Sequence, residues 1–137
     1  NHTDETFSPN RILVPTNLED DCTQKMNDLL AFAQKFESEL QFVFVNTPAN
    51  FHTTPQIRKR SRIWFEKQGL SGHQLHVYNT KQLQKGLLNA ADFYESDMIA
   101  LFSKHSESLR DLIKGNITEY LITRSDIPVM TFNLNQA

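Results

Sequence analysis

Short apolar runs alternate along this chain with longer segments whose apolar positions recur at helical spacing. The first run, "RILVPT" from Arg11 to Thr16, ends at a proline and predicts a buried strand. Met26, Leu29, Leu30, Ala33 and Phe36 then share one helical face behind Glu19-Asp20-Asp21, an acidic stretch suited to a helix N-terminus. A second strand, "LQFVFVN" from Leu40 to Asn46, is dense in aromatic and β-branched residues. A loop holding Pro48 and Pro55 leads to a helix with Ile57, Ser61, Trp64 and Phe65, closing near Gly69 and Gly72. In "HQLHVYN", Leu75 and Val77 share one face and His76 and Tyr78 the other, the pattern of an incompletely covered edge strand. Leu83, Leu87, Ala91 and Tyr94 mark a third helix, Met98 to Phe102 a fourth strand. "DIPVMTFN" supplies a fifth, with Pro128 near its start, where an edge tolerates proline.

Between the last two strands the helical pattern from Leu109 to Arg124 is interrupted by Gly115. A mid-helix glycine costs about 1 kcal/mol against alanine, so a break is expected there. "NITE" offers Asn116 as an N-cap with Glu119 three residues on, and a longer helix is predicted to start near Ile117. Its first amides suit an anion. Strand and helix in alternation imply a parallel sheet with right-handed crossovers, covered on both faces. The ligand crevice of such a sheet lies beyond the carboxyl ends of its strands. Here it is lined by Pro15-Thr16-Asn17, Val45-Asn46 and the turn after Phe102. That turn, with Ser103, Lys104, His105, Ser106 and Ser108, either holds a small anion through its hydroxyls and Lys104 or is a solvated loop. The solvated loop, with Ser106 or Ser108 as an N-cap, is the simpler reading.

The 137 residues suit one domain, with 10–137 as its body and 1–9 as a tail or inter-domain linker. Hydrophobic content of 39% and charged content of 22% fit an ordinary soluble globular protein. A net charge of -2 lacks the basic excess of a nucleic-acid binder, and no apolar run approaches the roughly 20 residues that cross a bilayer. "NHTDETFSPN" has no basic or apolar region of a signal peptide, and the one cysteine, Cys22, forms no internal disulfide. A cytoplasmic setting is expected. Asn1-His2-Thr3 and Asn116-Ile117-Thr118 match the glycosylation sequon, but nothing else points to secretion.

Few constellations carry catalytic chemistry. "RKRSR" from Arg58 to Arg62 is either a patch for an acidic partner or one exposed helix face. The five histidines (2, 52, 73, 76 and 105) lack zinc-site spacing, and His73 and His76, on a predicted strand, project to opposite faces. Cys22 lacks a positioned histidine or resolving cysteine and reads as a packing residue. There is no Gly-x-Ser-x-Gly elbow, HExxH or Walker lysine motif, nor the acidic pair of a receiver domain. No enzymatic activity is expected.

Taken in order, three stretches resemble the universal stress protein family over nearly all of residues 10–133. "RILVPTNLED" is similar to its opening strand and Pro-Thr-Asp or Pro-Val-Asp turn, "FVFVN" to its second strand, and "GNITEYLITRSDIPVMTF" to its closing helix and strand. The resemblance implies a Rossmann-like open five-stranded parallel sheet, order 3-2-1-4-5, with helices on both faces. It also implies dimers paired through the last strand. The ATP-binding branch carries Gly-x2-Gly-x9-Gly-Ser/Thr after the fourth strand and an aspartate after the first. Aligned on Gly115, those positions hold Phe102, His105, Gly115 and Asn116, and the aspartate is Asn17.

Those departures change the chemistry. Glycines let backbone amides approach phosphate oxygens with no Cβ in the way, and Phe102 and His105 bring bulk there. Asn17 keeps hydrogen-bonding capacity without the charge. The resemblance thus implies a vestigial or rebuilt nucleotide site of Pro15, Thr16, Asn17, Val45, Phe102, Ser103, His105, Gly115, Asn116, Ile117 and Thr118. The leading expectation is a non-catalytic regulatory or interaction module in stress response, without a cofactor. The alternative is a sensor binding ATP, AMP or a smaller adenine ligand, with slow hydrolysis a distant third. An edge strand of Val129, Met130, Thr131 and Phe132 invites pairing, in a homodimer or with a tandem domain.

Overall fold

Why these segments fold as they do is legible in burial along the chain. In this computed structural model, residues 8–103 and 117–134 are described. The elements are β1 (Arg11–Pro15), α1 (Thr23–Phe36), β2 (Glu39–Asn46), α2 (Thr54–Lys67), β3 (Leu75–Asn79), α3 (Leu83–Phe93), β4 (Met98–Ser103), α4 (Ile117–Arg124) and β5 (Val129–Asn133). All five strands run parallel in the order β3-β2-β1-β4-β5, as expected. The central strands β1, β2 and β4 are buried on both faces, hence their near-continuous apolar runs.

Alternate residues of those strands feed two cores. Ile12, Val14, Phe42, Phe44, Met98 and Ala100 face α1 and α2 and meet Met26, Leu29, Trp64 and Phe65. Leu13, Val43, Val45, Ile99 and Leu101 face α3 and α4 and meet Leu87, Ala90, Ala91 and Leu121. Each fully buried large side chain contributes about 1.5–3 kcal/mol of burial. Gly86 of α3 is required by close approach, because a Cβ there would lie 2.3 Å from Thr80 Cγ2.

Several local readings need correction. The acidic stretch 19–21 lies in the loop before α1, whose first turn holds no acidic residue and whose N-cap is Cys22. Asp21 instead reaches forward, accepting from the Thr23 amide (3.0 Å) and hydroxyl (2.6 Å). Pro55 is not in the loop but in the first turn of α2, where its missing N–H costs nothing. Thr53 and Gln56 form a full capping box ahead of it. His73 precedes β3 rather than lying on it, though it and His76 still face apart: His73 packs on Phe42 and His76 on Tyr94. Leu83, predicted to share α3's covered face, is 42% exposed. Pro9, assigned to the tail, is buried, and its carbonyl accepts from the Ser38 hydroxyl.

The predicted helix start at Ile117 is where α4 begins, with Glu119 in its first turn. The Gly115 break, the Asn116 cap and the residues 104–108 of the serine-rich turn lie outside the described residues.

Candidate functional site: the crevice at the strand ends

β1 ends against β2, where the Thr16 amide donates to the Val43 carbonyl at 2.9 Å. The chain then turns sharply. The Thr16 hydroxyl accepts from the Leu18 amide (2.9 Å), and Asn17 Oδ1 accepts from the amides of Glu19 (2.9 Å) and Asp20 (3.0 Å). Asn17 Nδ2 donates to Asp20 Oδ2 at 3.0 Å. These short side chains replace the backbone partners that a helix or strand would supply. Leu18 adopts the left-handed φ of 62° and is buried. Such a conformation costs about 1–3 kcal/mol in a non-glycine residue and persists only where surroundings enforce it.

The enforcement comes from α2. Arg60, Trp64 and Gln68, spaced four apart at one helical face and its end, each grip this loop. Arg60 donates to Glu19 Oε2 at 2.9 Å, Trp64 Nε1 to the Asp20 carbonyl at 2.9 Å, and Gln68 Oε1 accepts from the Cys22 amide at 2.9 Å. Arg60 also donates to His52 Nε2, while His52 Nδ1 meets the Asn50 carbonyl at 3.2 Å. On the loop's outer side Asp21 is exposed, and its carboxyl is held below the usual carboxylate range, first by the Thr23 hydroxyl and then by the Thr23 amide.

Beneath this loop is a crevice of about 190 Å³. Among the described residues it is lined by Pro15, Thr16, Asn17, Val45, Phe102 and Ile117 of the sequence-derived set, joined by Asp20, Cys22, Phe44, Asn50, Leu83, Leu87 and Leu101. Ser103 and Thr118 do not line it. His105, Gly115 and Asn116 lie outside the described residues. The Phe102 ring is held by β5, stacked on Phe132 with centroids 5.0 Å apart. Sequence reasoning missed Leu83 and Leu87 as crevice walls and the α2 clamp entirely. The four-residue spacing of Arg60, Trp64 and Gln68 was the available signal, masked by the basic run around it.

β5 is an edge of the sheet, as expected. Its side chains are half used within the domain: Met130 and Phe132 pack on one core, Val129 on the other, and Thr131 is exposed. Among the described residues no cluster of three or more potential metal ligands forms, and no helix is long and apolar enough to cross a membrane.

No family model matches the sequence, and no curated protein matches it. Solved structures do. A universal stress protein in complex with cAMP superposes with a TM-score of 0.70 at 13% identity, over 93% of this chain and 98% of that one. A universal stress protein from Archaeoglobus fulgidus in complex with dAMP gives 0.60 at 11% identity, over 91% and 97%. A further universal stress protein, from Archaeoglobus fulgidus DSM 4304, gives 0.60 at 20% identity over 93% of this chain but 45% of that one. The open five-stranded parallel sheet described above is therefore the fold of the universal stress proteins.

Proposed function

We propose that this chain is a universal stress protein domain that works as a non-catalytic regulatory or interaction module in the cytoplasm, with a crevice that has lost ordinary ATP binding. The observation that carries the reading is the state of the crevice. At about 190 Å³ it falls below the ~300–1,000 Å³ of usual small-molecule pockets, and Phe102, fixed on Phe132, occupies its wall. Asn17, at the position of the family's aspartate, has both ends of its amide committed to its own loop. A nucleotide would have to break those bonds to use it. The module pairs through the outer edge of β5, with a second copy or a tandem domain as occupant; the 45% coverage of one structural neighbour is in keeping with the tandem case.

One observation favours a second reading, an adenine-nucleotide sensor. Six residues expected at a nucleotide site do meet at one crevice, and two structural neighbours are complexes with cAMP and dAMP. Thermal unfolding with and without millimolar MgATP, AMP or cAMP separates the two. Ligand at 100 times its dissociation constant adds about 2.7 kcal/mol, a shift of roughly 10 °C for a domain of this size. The module reading expects no shift; a shift near that size with any of the three establishes the sensor instead.

A further inference from the structure

The outer edge of β3 has two unlike flanks. On the face shared with α2 lies an open groove of about 970 Å³, larger than the strand-end crevice. Its floor includes Leu75, Val77 and Phe65, and Arg58 and Arg62 stand over it. These two residues lie four apart on α2 and are both exposed. Among the described residues neither guanidinium has a hydrogen bond or ion pair, although the basic run's third arginine, Arg60, is fully engaged on the other side of the helix. Glu66, one turn beyond Arg62, ends the basic strip. On the opposite face the flank is aromatic: Phe93 is 67% exposed and lies against Tyr78 of β3, centroids 5.7 Å apart.

The strand between them has an open hydrogen-bonding side. β3 pairs only with β2 among the described residues, and the Thr80 amide donates to the Asn46 carbonyl. By the alternation of a parallel strand, His76 and Tyr78 also turn to β2, which leaves the amides of Leu75 and Val77 facing outward. An extended segment added here would send alternate side chains to the two flanks. Its successive same-face residues would be about 6.6 Å apart, close to the ~5–6 Å between positions four apart on a helix.

We infer that β3 is the docking edge for an extended segment of a partner protein that alternates acidic and apolar residues, its carboxylates on Arg58 and Arg62 and its apolar side chains on Phe93 and Tyr78. Charge complementarity selects the acid: two unpaired guanidiniums with bidentate geometry stand on a chain that is acidic overall. The free amides fix the extended conformation, and the aromatic flank fixes the alternation. This edge is separate from the strand-end crevice and from β5, so the inference does not depend on whether nucleotide binds.

The test is fluorescence anisotropy of a labelled peptide alternating valine and glutamate, about ten residues long, titrated with the full chain at low salt. Saturable binding is expected, weakened roughly tenfold or more by R58Q/R62Q together and several-fold by F93S, with Lys59→Gln, an exposed neighbour off the groove, near wild type. Val77→Pro, which removes an outward amide, is expected to abolish it. Melting curves check that each variant is folded; should Val77→Pro unfold, the arginine pair decides alone. The inference is overturned if a valine–lysine peptide binds equally, if Lys59→Gln weakens binding as much as R58Q/R62Q, or if inorganic pyrophosphate displaces the peptide from a Val77→Pro protein that still binds it, which marks a small-anion site.

Discussion

At the carboxyl ends of the strands, Thr16 and Asn17 satisfy their own loop, and Arg60, Trp64 and Gln68 clamp that loop from α2. Across the same helix, Arg58 and Arg62 stand over a groove about five times the crevice's volume and engage nothing among the described residues. One eleven-residue span, from Arg58 on α2 to the C-cap Gln68, therefore holds the crevice loop with one face and borders the groove with the other. At the strand ends the described side chains of Thr16 and Asn17 are bonded within their own loop, whereas Arg58 and Arg62 lie toward the sheet edge with no ion pair among the described residues. Polar groups that already have partners gain little from a ligand, because a new hydrogen bond must replace an old one.

The most damaging change to this arrangement is Trp64→Ala, since Trp64 is buried between Phe42 and Phe65 and also holds the Asp20 carbonyl. A loss of about 3–5 kcal/mol is expected in urea unfolding. Amide exchange should quicken in the crevice loop as well as along the groove. Gly86→Ala comes next. The added Cβ meets Thr80 Cγ2, and overpacking of this kind costs about 1–3 kcal/mol, offset in part by about 1 kcal/mol of helix propensity. A net loss of stability is expected, whereas a gain would mean that Thr80 moves aside freely.

Asn17→Asp tests whether the family's aspartate restores ligand binding. It would place a carboxylate within about 3 Å of Asp20 in exchange for a hydrogen bond, which costs on the order of 1 kcal/mol at neutral pH. One carboxyl of such a pair has its pKa raised, so the repulsive part of the penalty is present above the ordinary carboxylate range and fades as the pH falls below it. Melting temperatures of the variant and wild type should converge partly toward pH 3, and MgATP should still give no shift. The smallest effect concerns Asp21, an exposed group. Its folded pKa is lowered by Thr23, so its contribution is present above its ordinary value of 3.8 and is lost as the pH falls through the lower folded value. Asp21→Asn should lower stability slightly near neutrality, with the difference from wild type fading as the pH falls below the folded value, so that the acid limb becomes slightly shallower.

Strand and helix existence was readable because burial leaves a period in the sequence. Leu13, Val14, Phe42, Val43, Ile99 and Ala100 are consecutive apolar residues in the strands that two helix layers cover. "HQLHVYN" alternates because β3 is half covered at an edge. The helix from Ile117 was readable from Glu119, and the gathering of Pro15, Thr16, Asn17, Val45 and Phe102 from the rule that crevices form at strand ends. Capping was read less well: "NLEDDC" has the charges of a helix start, but Glu19 pairs with Arg60, Asp20 accepts from Asn17 Nδ2, and only Asp21 reaches forward to the Thr23 amide and hydroxyl.

What the residues determined alone is therefore the layer order of the fold and the place of its crevice, since both follow from where apolar side chains must go. Only the tertiary structure decided which polar groups are used. Arg58, Arg60 and Arg62 are indistinguishable as letters in "RKRSR". The hundred-degree turn per residue of α2 aims Arg60 at Glu19 and His52 and the other two at the open groove. Apolar burial is non-directional and leaves its mark in composition and period, whereas a hydrogen bond depends on a partner far along the chain arriving within about 3 Å at the right angle.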